Sequence, residues 1–528
     1  MKKSFDIVVA TNQQSLSSHL ANAYDFVVCG AGSSGSVVAR RLAESPDVKI
    51  LLLEAGGTDD LVACSDPNMW PSNLKTDRVW QFETQPEVQL QERKISYPMG
   101  KVLGGGSSVN ACVWAVGHKN DWDSFAKCTN DPAWSYNEVR QLYRRIEDWQ
   151  GEADREYRGI DGQVSIAPNS TTPLAPAFFE AAKEIGLRKF DSQNGPLMES
   201  DGGCALAELN VRNGKRQSMF RCYTYPVMDR ANLTVLTDAL VTKILFFGNK
   251  VAAVEFVHQG RLRTVHVNGE VVLSAGAIQT PKILMQSGIG PRDQLSRFNI
   301  PIIKNSPGVG RNLQDHPLSG CLWEATDAPE RSSVLTQAVA IWKSSPDLLS
   351  PDVAAFLIAR PLSTEPNSGG KKLTWGIRSA VLQPRSRGQV ELTGSNPSDP
   401  MLINPNLLHD PADLRAALSA IHLCRELGSS SFFRPFAGRE VDPGSLDGAG
   451  MEGYLRRTVQ TFWHQCGTAK MGKDDMAVVG GDLLVHGIQG LRIADASVLP
   501  HITTGNTMAP AVVIGERASA AILQSHRL

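Results

Sequence analysis

The sequence predicts an α/β protein whose first domain is doubly wound, in the Rossmann manner, and shares the chain with a second domain. Three observations carry this. An apolar run over 24–29 ends at Gly30-Ala31-Gly32-Ser33-Ser34-Gly35. A helical pattern follows over 36–43, and a second apolar run over 48–53 ends at Glu54. Short strands without alternation are those buried on both faces, as parallel strands are, so the three segments form one βαβ unit. No repeat, low-complexity tract or linker interrupts the 528 residues, which favours two domains that exchange chain segments over domains in series.

Taken in order, residues 1–22 read as a polar extension. Met1-Lys2-Lys3 hints at a secretory signal, but the apolar stretch is broken by Asp6 and gives way to Thr11-Asn12-Gln13-Gln14, short of the ~7–15 apolar residues a signal needs. No run approaches the ~20 apolar residues of a membrane span. Helical patterns follow over 136–149 and 176–185. Strands are expected over 233–236, 242–246, 251–257, 270–274 and 388–392, and a helix over 410–427 from its Asp-Pro start.

Composition sets limits on function. Lys plus Arg total 53 against 54 Asp plus Glu, a net charge of −1, without the basic excess of a nucleic-acid binder. Nine cysteines, an odd number with no CxxC, lack paired metal-ligand spacing, so no metal is expected. They read as reduced thiols, which places the protein in the cytoplasm.

Gly30-Ala31-Gly32-Ser33-Ser34-Gly35 is a G-x-G-x-x-G between strand and helix, and Glu54 stands 19 residues beyond Gly35. The glycines let backbone approach a pyrophosphate, the helix N-terminus offers it unpaired N–H groups, and the acid takes ribose hydroxyls. The motif alone does not decide between FAD and NAD.

The rest of the chain does. Gly100-Lys101-Val102-Leu103-Gly104-Gly105-Gly106-Ser107-Ser108-Val109-Asn110, with Trp114, Gly117 and Asp123 downstream, resembles the first signature of the glucose–methanol–choline (GMC) oxidoreductase family. Gly276-Ala277-Ile278-Gln279-Thr280-Pro281 and the residues on to Gly290 resemble its second. His464-Gln465-Cys466-Gly467-Thr468 and Gly505-Asn506-Thr507-Met508-Ala509-Pro510 resemble its C-terminal active-site segments.

The resemblance implies an FAD-binding domain from 23–150, 225–318 and 455–525. It is interleaved with an α+β substrate domain built on an antiparallel sheet from 151–224 and 319–454. It implies FAD contacts from the fingerprint, from Ala55 and Trp80, and from Gly105, Gly106, Ser107, Ala111 and Cys112. Asn110 and Val113 are to touch the isoalloxazine, Val241 the adenine, and Asp495, Ala496 and Thr507 the middle of the cofactor. Val109 stands where some members carry a flavin-linking His, so FAD is expected without a covalent bond.

An alkoxide is a far better hydride donor than an alcohol, so the site needs a base titrating near neutral pH, and His fits. By resemblance His464 is that base and Asn506 holds the same oxygen, with hydride passing to flavin N5. The implied activity is oxidation of a small alcohol, primary and neutral, to an aldehyde or ketone, with oxygen or a quinone reoxidising the flavin. His316 and His501 read as structural, and a rate governed by a pKa of roughly 6–7 is expected. Choline-oxidising members carry a carboxylate after His-Pro; here that position is Leu318. Phe462, Trp463 and Trp114 suggest an apolar or aromatic pocket. A hydroxynitrile-lyase-like enzyme, which keeps FAD without redox turnover, is the alternative within the fold.

Overall fold

The computed structural model describes residues 2–170, 172–326, 336–359 and 374–528. Two seven-stranded sheets organise them. In the first, Ala23–Cys29 lies between Ile50–Leu53 and Arg261–Leu273, with Leu233–Leu236 beyond Ile50–Leu53, all parallel. Val27 stands beside Leu51 on one side and Val271 on the other, all three fully buried. Burial on both faces is why these strands read as unbroken apolar runs. Leu491–Ile493 joins Arg261–Leu273 in parallel, while Lys250–His258 and Ala239–Phe247 extend its first half as an antiparallel meander.

The helix after the fingerprint runs Ser33–Ala43, and the C-terminal helix Met508–His526 packs against it. A side chain on Gly515 would meet Ser34 O at 2.8 Å, and Arg41 and Glu516 close a 2.8 Å ion pair between the two helices.

The second sheet is antiparallel: Gly202–Leu206, Thr336–Trp342, Val353–Ile358, Thr374–Val381, Pro317–Ala325 and Ala437–Asp442 in spatial order, with Gln460–Thr461 also pairing Pro317–Ala325. Strand side chains alternate between faces. Cys321 and Trp375 face the helix Pro411–Ser429 and the turn after it, with Cys321 Sγ 3.8 Å from Ile421 O and Trp375 stacked on Phe433. Leu318, Phe356, Ile358 and Arg378 face the other way, into a cleft shared with the first sheet.

The polar extension is a helix over residues 2–18. Phe5 and Val9, one turn apart, pack on the core. Asn12 Nδ2 donates to Met228 O at 2.7 Å, and Gln13 both donates to Leu233 O and accepts from Val235 N, at 2.9 Å each. The Gln13 amide thus occupies the open edge of the first sheet, whose unpaired backbone groups otherwise invite other strands, while Asn12 ties the helix to the turn before that strand. The helix expected over 136–149 stops at Ile146, and Glu147–Trp149 pairs in parallel with Val164–Pro168. The cause is Glu147, whose carboxylate is buried against Arg158 Nε at 3.0 Å and Gly159 N at 3.0 Å.

Candidate active site

At one end of the cleft the walls are backbone. Gly30 has φ +108°, and a Cβ on it would lie 2.3 Å from Ser274 O. Gly32 caps the helix Ser33–Ala43 without a side chain, leaving the first-turn N–H groups of Ser33 and Ser34 facing the cleft. The second glycine loop lies directly on the first: Gly104 N donates to Ala31 O at 2.7 Å, and a Cβ on Gly105 would lie 2.8 Å from Gly32 Cα. Gly105 and Gly106 line the cleft beside this contact.

Glu54 and Ala55 close the far side. The Glu54 carboxylate accepts from Ala31 N and Gly56 N, each at 2.9 Å, yet burial pushes it up to about 7. Trp80, stacked on Phe82 at 5.8 Å, and Val241 line the same end. Asp495, Ala496 and Thr507 line the middle. Asp495 accepts from Gly276 N at 2.9 Å and Thr280 Oγ1 at 2.6 Å, tying the second signature's helix to the C-terminal segment.

Asn110, Ala111 and Val113 line the centre. Asn110 Oδ1 accepts from Arg216 Nη1 at 2.7 Å and Cys112 N at 3.0 Å, so its amide donor is the end left over, 3.0 Å from Met508 Sδ. Arg216 also donates to Cys64 O and Ser107 O. No local sequence signal marks this buried arginine as a support of the glycine loop.

Three expected cofactor residues lie behind the wall rather than on it. A Cβ on Gly35 would sit 1.9 Å from Gly30 O, so Gly35 serves the packing of the motif's helix on its strand. Ser107 Oγ donates to Gly104 O at 2.6 Å and accepts from Met219 N at 3.0 Å. Cys112, at φ +62°, is fully buried against Val113 and Leu209. Trp114 likewise belongs to the core, edge-on to Tyr143, whereas Phe462 and Trp463 line the cleft.

His464 and Asn506, 42 residues apart in sequence, meet at 3.2 Å through His464 Nε2 and Asn506 Nδ2. His464 does not stand alone. Its Nδ1 lies 2.9 Å from His316 Nδ1, and His316 Nε2 lies 3.0 Å from Leu382 O. A carbonyl only accepts, so His316 carries its proton on Nε2 and presents a lone pair at Nδ1. His464 Nδ1–H therefore donates to His316, and His464 Nε2 keeps the lone pair that faces Asn506 and the cleft. Burial holds the His316 imidazole down at about 3, and burial with the adjacent His316 ring holds His464 well below the usual imidazole range. Both rings are neutral at physiological pH.

His316, expected as structural, is thus the direct partner of the cleft histidine. His501 is not: its Nε2 lies 2.8 Å from Ser124 Oγ and its ring lies tilted against Phe125 at 4.6 Å. The residues fit an elongated dinucleotide bearing a flat ring. Bare backbone and helix N–H groups would meet its phosphates and Glu54 its ribose, and Ser274 Oγ and Asn506 Oδ1 line the cleft buried with no partner in the chain. Among the described residues no group of metal ligands gathers, and no helix is long and apolar enough to cross a membrane.

Comparison with known proteins gives a consistent result. Residues 24–318 and 384–515 match the N- and C-terminal family models described as GMC oxidoreductase. An oxygen-dependent choline dehydrogenase of Rhizobium johnstonii is 32% identical, with 94% of this chain and 95% of that protein covered. An alcohol dehydrogenase (acceptor) of Pseudomonas putida is also 32% identical, covering 95% and 96%. Among solved structures, pyridoxine 4-oxidase from Mesorbium loti superposes with a TM-score of 0.90 at 29% identity, covering 96% of this chain and 99% of that one. A formate oxidase at 24% identity and a TM-score of 0.89 shares the fold.

Proposed function

This chain belongs to the GMC oxidoreductase family, and from that premise we propose that it oxidises an alcohol to a carbonyl compound with non-covalent FAD, using His464 as the base. The observation that carries the reading is the hydrogen-bonded series Leu382 O, His316, His464, Asn506, which leaves one unprotonated ring nitrogen facing the cleft. Bound FAD supplies the hydride acceptor. His464 Nε2 takes the hydroxyl proton as the C–H bond breaks. His316 accepts from His464 Nδ1–H throughout, so the ring enters the reaction in the correct tautomer and the charge it gains is met by a hydrogen bond. Asn506 is within reach of the same oxygen and holds it beside His464.

The low affinity of His464 for protons revises the expected pH profile. A histidine held well below its ordinary value stays unprotonated further into acid, so the acid limb falls below the 6–7 expected of an ordinary imidazole. Val109, buried with Val79 and Val102 on the cleft wall, offers no nucleophile to the flavin, which supports non-covalent attachment. We assign reoxidation to oxygen or a quinone-type acceptor.

Anaerobic mixing with an alcohol panel tests the reading. Bleaching of the flavin absorbance by alcohols, lost in His464→Ala, is the expected result. A flavin that no alcohol bleaches would favour the hydroxynitrile-lyase-like alternative.

A further inference from the structure

The hydrogen-bonded series from Leu382 O to Asn506 has two ends, and both lead to one carboxylate outside the cleft. Gln383 follows Leu382 directly, and its Nε2 donates to Asp121 Oδ1 at 3.0 Å. Thr504 stands two residues before Asn506 and donates to Asp121 twice, from its backbone N to Oδ2 at 2.7 Å and from its Oγ1 to Oδ1 at 3.2 Å. Gln383 Nε2 also donates to Thr504 Oγ1 at 2.8 Å, so the two segments meet on the carboxylate. Asp121 is 2% exposed and stands behind the cleft wall.

Asp121 lies in the first turn of the helix Lys119–Thr129, where an acid ordinarily serves as a cap. It does cap: Oδ2 accepts from His118 N at 2.9 Å, while the His118 ring accepts from Asn120 N at 3.2 Å. That bond alone serves the helix. The other three leave it for the segments that flank the series. The chain is shaped to bring the acid inside. Gly117, the glycine of the first signature, has φ +84°, and a Cβ on it would lie 3.1 Å from Trp122 Nε1 and 3.4 Å from Asp121 Oδ2. A carboxylate taken out of water is costly unless donors surround it. A cap alone works at the surface, so the burial of Asp121 serves its outward bonds.

What it holds has little other support. Residues 502–506 lie in no helix or strand, and Leu382 is one residue past the end of Thr374–Val381. Gly505, between Thr504 and Asn506, has φ +117° and brings the backbone freedom of a glycine next to the Asn506 amide. Resting on the alcohol-oxidising reading above, we propose that Asp121 is a positioning residue of the reaction, which ties the Leu382 carbonyl to the Asn506 loop and so keeps His316, His464 and Asn506 in register. It touches neither the substrate nor the flavin and acts through Gln383 at one end and Thr504 at the other.

The test follows anaerobic flavin reduction in the holoenzyme by an alcohol that bleaches it. Asp121→Asn keeps the shape but turns an amide N–H2 towards donors. Gln383→Leu cuts one arm and Thr504→Val weakens the other, both with Asp121 in place. Misplacing a reacting group by about 1 Å costs about 100-fold, so Asp121→Asn should slow reduction by about 10–100-fold and each arm by about 3–10-fold. Each arm should act through its own end. The effect of Gln383→Leu should shrink to within about twofold in a His316→Leu background, and that of Thr504→Val in an Asn506→Ala background, because independent effects multiply and coupled ones do not. His118→Ala removes the other half of the cap, and should lower Tm with the rate kept within about twofold. A rate within about twofold of native for Asp121→Asn or for either arm, arm effects undiminished in the double variants, or equal slowing by His118→Ala would each overturn the proposal. If Asp121→Asn fails to hold FAD, the two arms decide. Failure of every alcohol to bleach the flavin would instead overturn the underlying reading. Ring-nitrogen magnetic resonance of the histidine-labelled holoenzyme then decides the proposal without turnover. One His316 tautomer, protonated on Nε2, is expected in the native protein and a mixture in Gln383→Leu, whereas the same single tautomer in both would overturn it.

Discussion

Removing the acceptor behind His464 separates a base that is merely present from one that is held. In His316→Leu, His464 Nδ1–H loses its 2.9 Å partner inside a buried site. A buried donor left unsatisfied costs about 1–3 kcal/mol, and each 1.36 kcal/mol on a barrier is about tenfold in rate. Anaerobic flavin reduction should therefore slow by about 10–100-fold, since the imidazolium forming in that step loses the same bond. His316→Gln is the control: its amide can donate to Leu382 O and accept from His464, and should recover much of the rate. Rapid-mixing absorbance at the flavin band reads the native protein and both variants. If His316→Leu holds full FAD and reduces within about twofold of the native rate, the hydrogen-bonded series does not orient the base.

Other outcomes follow from the same geometry. His464→Ala should keep FAD and lose about 10²–10⁴-fold in the reductive rate, with Asn506→Ala losing less, measured by the same mixing experiment. Acid precipitation should release all yellow colour into the supernatant, because Val109 forms no bond; colour in the pellet would contradict this. Glu54 is held at about 7 without ligand, and ribose hydroxyls bond its ionised form, so FAD binding releases a proton below that pH. FAD affinity should therefore tighten as pH rises from 6 to 8 in fluorescence titrations, and Glu54→Gln should flatten that slope. Gly35→Ala, whose Cβ would meet Gly30 O at 1.9 Å, should purify colourless or aggregated, read by the ratio of flavin to protein absorbance.

What the sequence reveals depends on how local its cause is. The fingerprint, its strands and the Glu54 offset rest on backbone sterics within one βαβ unit, so they are legible from residues 24–54 alone. The helix over 2–18 is not, because it is held by Asn12 and Gln13 bonding a turn and an edge strand more than 200 residues away. The early stop at Ile146 depends on Arg158 and Gly159 across a loop. His464 and Asn506 were legible only through resemblance. The role of His316 was hidden because Asp-His-Pro carries no local mark of the ring it meets. Gly35, Ser107 and Cys112 sit inside motifs whose other members reach the cleft, and sequence pattern does not separate a wall from its backing.

The base is set by the end of a strand. Thr374–Val381 lines the cleft through Arg378, and Leu382, the residue that follows it, supplies the carbonyl that sets the tautomer of His316 and through it of His464. The strand is paired along its length on both sides, and Leu382 N is itself pinned to Asp352 O at 2.6 Å. A strand with both ladders satisfied has little freedom to shift one residue without its neighbours. The Leu382 carbonyl is therefore held in place, and with it the ring tautomers that leave His464 Nε2 unprotonated toward the cleft. The orientation of the base is then a matter of strand geometry rather than of loop closure.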